Sequence, residues 1–126
     1  MNKEDFLERL DFIEKEMDIK LPHYYRKFLS EKIQDKPYIE ITGKEQENIY
    51  IYNFDYVIER NKTYTIQDVE RNYFLIGQDG DLGYFIYVEK GKESDVIYSL
   101  DLGALGSVDM EEDGDKEADN IYNLGV

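Results

Sequence analysis

The chain has no cysteine, no tryptophan, one histidine and two prolines among its 126 residues. Without cysteine there is no disulfide, no thiolate metal site and no cysteine nucleophile. One histidine, His23, excludes a histidine-pair metal site, and its place near the start of a predicted helix marks it as a surface residue. No apolar run approaches the roughly 18 residues that a membrane span needs. The N-terminus, Met1-Asn2-Lys3-Glu4-Asp5-Phe6, brings acids at once and does not resemble a secretory signal, so the protein is expected in the cytoplasm. Basic residues are also scarce: 15 Lys and Arg stand against 29 Asp and Glu, a net charge of −14.

That charge is uneven. Residues 1–63 carry 11 basic against 14 acidic side chains, whereas residues 64–126 carry 4 against 15. An acidic field repels phosphate backbones and anionic lipid and accelerates encounter with cationic proteins. Nucleic acid and membrane are therefore disfavoured as partners, and a basic protein is favoured. A length of 126 residues is that of one domain, and 41% hydrophobic with 35% charged residues is ordinary globular composition.

Two strand-like runs, Tyr73–Ile76 and Tyr84–Val88, flank a turn rich in glycine and aspartate, Gly77-Gln78-Asp79-Gly80-Asp81-Leu82-Gly83. Asp-Gly and Leu-Gly supply residues that tolerate positive φ, which predicts a β-hairpin with an acidic, exposed tip. Upstream, Phe6, Leu10, Ile13 and Met17 recur at helical spacing and predict a helix over residues 3–17 with Asn2 as its N-cap. Pro22 can open a second helix whose buried stripe is Tyr25, Phe28, Leu29 and Ile33. Pro37 closes the helical region. Residues 38–41 and 48–52 read as strands across a Thr42-Gly43-Lys44-Glu45 turn. Residues 54–60 and 65–69 are too short for periodicity to decide between helix and strand. A further strand is expected at 95–100, after the turn Gly91-Lys92-Glu93-Ser94. Residues 109–115 read as a solvated acidic loop, and Ala118, Ile121 and Tyr122 as a last short helix docked on the sheet. The fold class is α+β: N-terminal helices, then a mainly antiparallel sheet, with a short C-terminal helix packed on it.

No enzyme signature survives inspection. Asp79 and Asp81 resemble a carboxylate pair, but turns select aspartate for local backbone bonds. Residues 103–107 lack the Gly-x-Ser-x-Gly elbow, and Gly43-Lys44 and Gly91-Lys92 lack phosphate-loop spacing. The run from Asp109 imitates a calcium loop with Gly114 sixth, but Glu111 is too long at position three, Lys116 replaces an apolar residue at position eight, and Asn120 cannot chelate at position twelve. No metal or cofactor is expected.

Three stretches in order carry a family resemblance: Leu21-Pro22-His23-Tyr24-Tyr25-Arg26-Lys27-Phe28-Leu29, Ile76-Gly77-Gln78-Asp79-Gly80-Asp81-Leu82-Gly83, and Ile97-Tyr98-Ser99-Leu100-Asp101. Together they resemble the SUKH superfamily over roughly residues 3–124. The C-terminal helix of the family is shortened here. The resemblance implies an α+β fold and, as its commonest role, an immunity protein that binds and neutralises a bacterial toxin domain. A basic nuclease is the toxin that the charge suits, with acidic side chains standing in for phosphate and aromatic ones slowing release. On that reading the expected partner contacts are Asp79, Asp81, Glu93, Asp95, Asp109, Glu111 and Glu112, supported by Tyr84 and, less directly, by Tyr50 and Tyr98. Twelve tyrosines suit such an interface only where several are exposed together. The alternative is a non-enzymatic interaction module in signalling or stress regulation.

Overall fold

The computed structural model describes residues 3–33 and 36–125. Helix α1 (Lys3–Met17) buries Phe6, Leu10 and Ile13 on one face, with Glu4 and Asp5 in its first turn and Lys15 in its last, the polarity that the helix dipole favours. The expected cap Asn2 lies outside the described residues. Helix α2 (His23–Phe28) follows Pro22, which sits at the N-cap, one residue before the expected position. A π-helical turn (Leu29–Ile33) continues it, and Tyr25, Phe28, Leu29 and Ile33 are all buried. Glu14 ties the two helices together: its carboxylate accepts from the Leu21 N–H at 2.8 Å and pairs with Arg26 at 2.5 Å.

Six strands follow in a meander: β1 (Tyr38–Thr42), β2 (Asn48–Tyr52), β3 (Tyr73–Asp79), β4 (Leu82–Tyr87), β5 (Ser94–Asp101) and β6 (Asp115–Ala118). Each is antiparallel to the next, and their spatial order is their chain order. With neighbours in space also neighbours in sequence, β1 and β6 are the two edges, and the long connections, residues 53–72 and 102–114, carry the helical segments of this half of the chain. Both undecided segments are helical: α3 (Phe54–Thr63) and α4 (Ile66–Val69). Asn53 settles the first, because its side-chain oxygen accepts from the N–H groups of Asp55 and Tyr56 as an N-cap.

Pairing register assigns side chains to faces, since cross-strand partners point the same way. Ile41, Ile49, Ile51, Phe74, Tyr84 and Ile86 share the face against which α2 packs, with the Tyr25 and Phe74 rings 6.3 Å apart. Tyr73, Leu75, Phe85, Tyr87 and Tyr98 share the other. There Tyr73 meets Tyr87 at 5.2 Å and Tyr98 at 6.4 Å, both edge to face.

Two straps close these faces. Residues 102–113 start at the hairpin tip, where the Leu102 N–H donates to the Asp81 carbonyl at 2.7 Å. They reach the start of β3, where the Met110 N–H donates to the Glu70 carboxylate at 2.9 Å. The acidic run is therefore not a solvated loop: Met110–Asp113 forms a helical turn, α5, and Asp115 begins β6. Met110 is buried and anchors a turn whose other three residues, Glu111, Glu112 and Asp113, face water. The second strap, residues 119–125, leaves edge strand β6 and reaches edge strand β1, where Gly125 bridges to Gly43. On its way the short 3-10 helix Ile121–Asn123 stacks Tyr122 on Phe28 and Tyr24 of α2. Ala118 belongs to β6 and not to that helix.

The hairpin glycines divide by role. Gly80 alone has positive φ, 59°, as the first residue of a two-residue turn. Gly83 instead gives room: a Cβ there would stand 2.8 Å from Leu102 Cδ2. The expected conformational role of Leu82-Gly83 is thus replaced by a packing one.

Candidate functional site

Alternation in β1 and β2 puts isoleucines inward and a tyrosine row outward. Tyr38 pairs with Tyr52, Glu40 with Tyr50, and Tyr50 in turn with Gln78 of β3. Helix α3 lies beside this row and adds Tyr56 and Arg60, so that a cleft of about 430 Å³ forms between sheet edge and helix, with Pro37 also in its lining. Three of its tyrosines are open to solvent: Tyr38 at 51%, Tyr56 at 47% and Tyr50 at 38%. The Tyr38 and Tyr50 rings are held edge to face at 5.2 Å. Tyr52 forms the floor. Burial pushes its hydroxyl well above the ordinary tyrosine range, and that hydroxyl bonds the Gln78 side-chain oxygen. Gln78 then donates to the Gly80 carbonyl at 3.0 Å, which links the cleft to the hairpin tip carrying Asp79 and Asp81. Glu40, exposed on the same face, has no ion pair among the described residues.

The acids singled out from sequence do not form one surface. Asp79 and Asp81 sit at the hairpin tip, Asp81 exposed and Asp79 half-buried. Glu93 and Asp95 lie at the opposite end of β4 and β5. The Glu93 carboxylate accepts from the Gly91 N–H at 2.8 Å and closes its own turn. Both oxygens of Asp95 are occupied at the start of α2, accepting from the N–H groups of Tyr24 and Tyr25 at 3.1 Å each, a cap supplied from another element. Asp109 accepts from the Glu111 N–H at 3.0 Å, and its own N–H donates to Asp113, which winds the turn that presents Glu111 and Glu112 on the opposite sheet face. Glu111, close to Tyr73, adds to the burial that pushes that hydroxyl up to about 12. No group of three or more histidine, aspartate or glutamate side chains among the described residues is placed to hold a metal ion.

Tyr84 requires correction. It is 0% exposed, its hydroxyl has no hydrogen-bond partner, and it packs in the core on the helix side of the sheet. Alternation along β4 turns it inward, so it cannot reach a partner from the surface. Tyr98 is half-buried, and Tyr50 alone of the three expected tyrosines stands open. The cleft residues Tyr38, Tyr52, Tyr56, Arg60 and Gln78 are absent from the sequence-based site. Their signal was present in part: tyrosine or glutamate occupies four of the five outward positions of Tyr38-Ile39-Glu40-Ile41 and Asn48-Ile49-Tyr50-Ile51-Tyr52, Asn48 being the fifth.

The fold and this face define a class: a small α+β protein, N-terminal helices packed on an antiparallel meander, with an open aromatic cleft at the sheet edge. The chain belongs to the SMI1/KNR4 family (SUKH-1), whose model matches residues 7–122. No curated protein matches it. Among the described residues no helix is long and apolar enough to cross a membrane.

Proposed function

We propose that this protein is an immunity protein that binds and neutralises a toxin domain, a basic nuclease, through the tyrosine cleft and the acids around it. The observation that carries this reading is the grouping of Tyr38, Tyr50 and Tyr56 in one open cleft. Scattered tyrosines are ordinary strand residues, whereas three exposed ones around a preformed cavity offer rigid apolar area with polar tips, the composition of interface hot spots. Family membership agrees with a neutralising role, and the −14 charge agrees with a cationic partner. Neutralisation needs a complementary surface and no chemistry of its own.

The test is survival of cells that express the toxin domain encoded beside this gene, with and without this protein. Specific rescue, lost in a Tyr38→Ala, Tyr50→Ala double variant that still folds, supports the reading. A confirmed toxic domain with no rescue by soluble wild-type protein overturns it and favours a regulatory interaction module.

A further inference from the structure

Edge strand β1 presents an unused strip of backbone next to the cleft. The Gly43 N–H donates to the Glu47 carbonyl at 2.8 Å and the Asn53 N–H to the Pro37 carbonyl at 3.0 Å. In an antiparallel ladder, hydrogen-bonded pairs alternate with non-bonded ones. Residues 37, 39, 41 and 43 therefore spend their backbone groups on β2, and 38, 40 and 42 turn theirs outward. At Thr42 that outward side is occupied, because Gly125 bridges to Gly43 and lies against the Thr42 carbonyl. At Tyr38 and Glu40 no partner is present among the described residues. Exposed edges are templates for a further strand.

We propose that an extended basic segment of the partner adds to β1 as a seventh strand, hydrogen-bonding the outward N–H and C=O groups of Tyr38 and Glu40. This rests on the toxin-binding reading and deepens it. Charge selects the occupant. A second copy of this chain would bring a second −14 and set its own glutamate beside Glu40, whereas a basic strand places a lysine or arginine opposite the unpaired Glu40 carboxylate. A neighbouring side chain on the same face of that strand, two residues along, then lies against the outer side of Tyr38, whose ring lines the cleft.

The experiment uses wild-type protein and an inactivated form of the toxin domain encoded beside this gene. Hydrogen exchange should show the Tyr38 and Glu40 amides fast in the free protein and protected in the complex. Glu40→Pro removes one outward N–H where proline is tolerated, at an edge with its nitrogen facing solvent, and should weaken binding roughly tenfold. Glu40→Thr, which keeps the backbone group and gives up only the ion pair, should weaken binding by the smaller factor of about threefold. Unprotected amides with binding intact and lost in Tyr50→Ala would overturn the seventh strand while leaving neutralisation standing. Concentration-dependent protection in the free protein would overturn it in favour of self-pairing. Wild-type protein that neither binds nor rescues would overturn both readings together.

Discussion

The side chain of Asn61 pairs with the backbone of Leu75 as another strand would: its Nδ2 donates to the Leu75 carbonyl and the Leu75 N–H donates to its Oδ1, both at 2.9 Å. Strand β2 pairs with β3 only at Tyr50 with Gln78 and Ile51 with Gly77. The remaining edge of β3 would otherwise leave buried backbone groups unmet, and Asn61 meets them from α3 while also donating to the Val57 carbonyl at 2.8 Å. Gln67 extends the device, donating to the Tyr73 carbonyl and to Asn61 Oδ1. Asn61 thereby fixes the angle at which α3 lies against the sheet, and with it the width of the cleft between Tyr50 and Tyr56.

Asn61→Ala strands the Leu75 N–H and C=O in the core. An unsatisfied buried group costs about 1–3 kcal/mol, so a loss of about 2–4 kcal/mol is expected for this variant. Urea denaturation should show a lower midpoint with an unchanged slope. A change below about 0.5 kcal/mol would mean that water replaces the amide without loss.

Tyr84 and Tyr50 should respond in opposite ways. Tyr84→Phe deletes a buried hydroxyl with no partner and is expected to leave stability unchanged or raised by up to about 1 kcal/mol, while Tyr84→Ala should lose about 3–5 kcal/mol through the cavity it opens. Tyr50→Ala, on the surface, should change folding by less than about 0.5 kcal/mol and weaken toxin binding by about 2 kcal/mol. Thermal unfolding and calorimetric titration with the inactivated toxin domain measure both arms.

Met110 decides whether the acidic strap is held. Met110→Ala should destabilise by about 2–5 kcal/mol as a buried side chain is truncated. Glu111→Gln beside it should be nearly neutral, because its carboxylate faces water. Proteolysis of the Met110→Ala variant should cut within residues 102–114 first, where the strap no longer has its anchor.

Alkaline pH should unfold the protein through its tyrosines. Burial raises the hydroxyl of Tyr73 from 10 to about 12, and those of Tyr25, Tyr52 and Tyr84 are pushed up as well. Each therefore holds its proton more tightly when folded than unfolded. Their contribution is fully present below pH 10 and is lost as pH rises from 10 through the folded values, Tyr73 by about 12. Denaturant midpoints should fall over that interval, and Tyr73→Phe should flatten the fall.

Reversing charge at the hairpin tip tests how far the site extends beyond the cleft. Asp79→Lys with Asp81→Lys should slow association with a basic toxin and flatten its salt dependence, with folding intact. Kinetics independent of these two residues would confine the interface to the cleft and β1.

Local physics wrote much of this fold into the sequence. Steps of four, three and four place Phe6, Leu10, Ile13 and Met17 on one helix face wherever that helix packs, and Gly80 between apolar runs turns the chain whatever surrounds it. Net charge, too, is a sum and needs no fold. The assembly of a site is different, because it depends on which distant residues become neighbours. Asp95 is an exposed acid at the start of a strand by sequence and a helix cap once α2 lies 70 residues away in the chain but 3.1 Å away in space. Tyr84 and Tyr50 read alike in sequence, yet register sends one inward and the other outward, since a strand alternates its faces and only pairing decides which face meets the core. The acidic run read as solvent-loving because five of its seven residues are acids; one buried methionine, visible only against the completed sheet, made it a strap. A segment as short as 54–60 had no period long enough to declare a helix until Asn53 capped it and Asn61 found β3. Sequence alone determined the first helix, the central hairpin and the charge; tertiary packing decided the shorter elements and the cleft, because a cleft is a relation between surfaces and no single stretch of chain contains it.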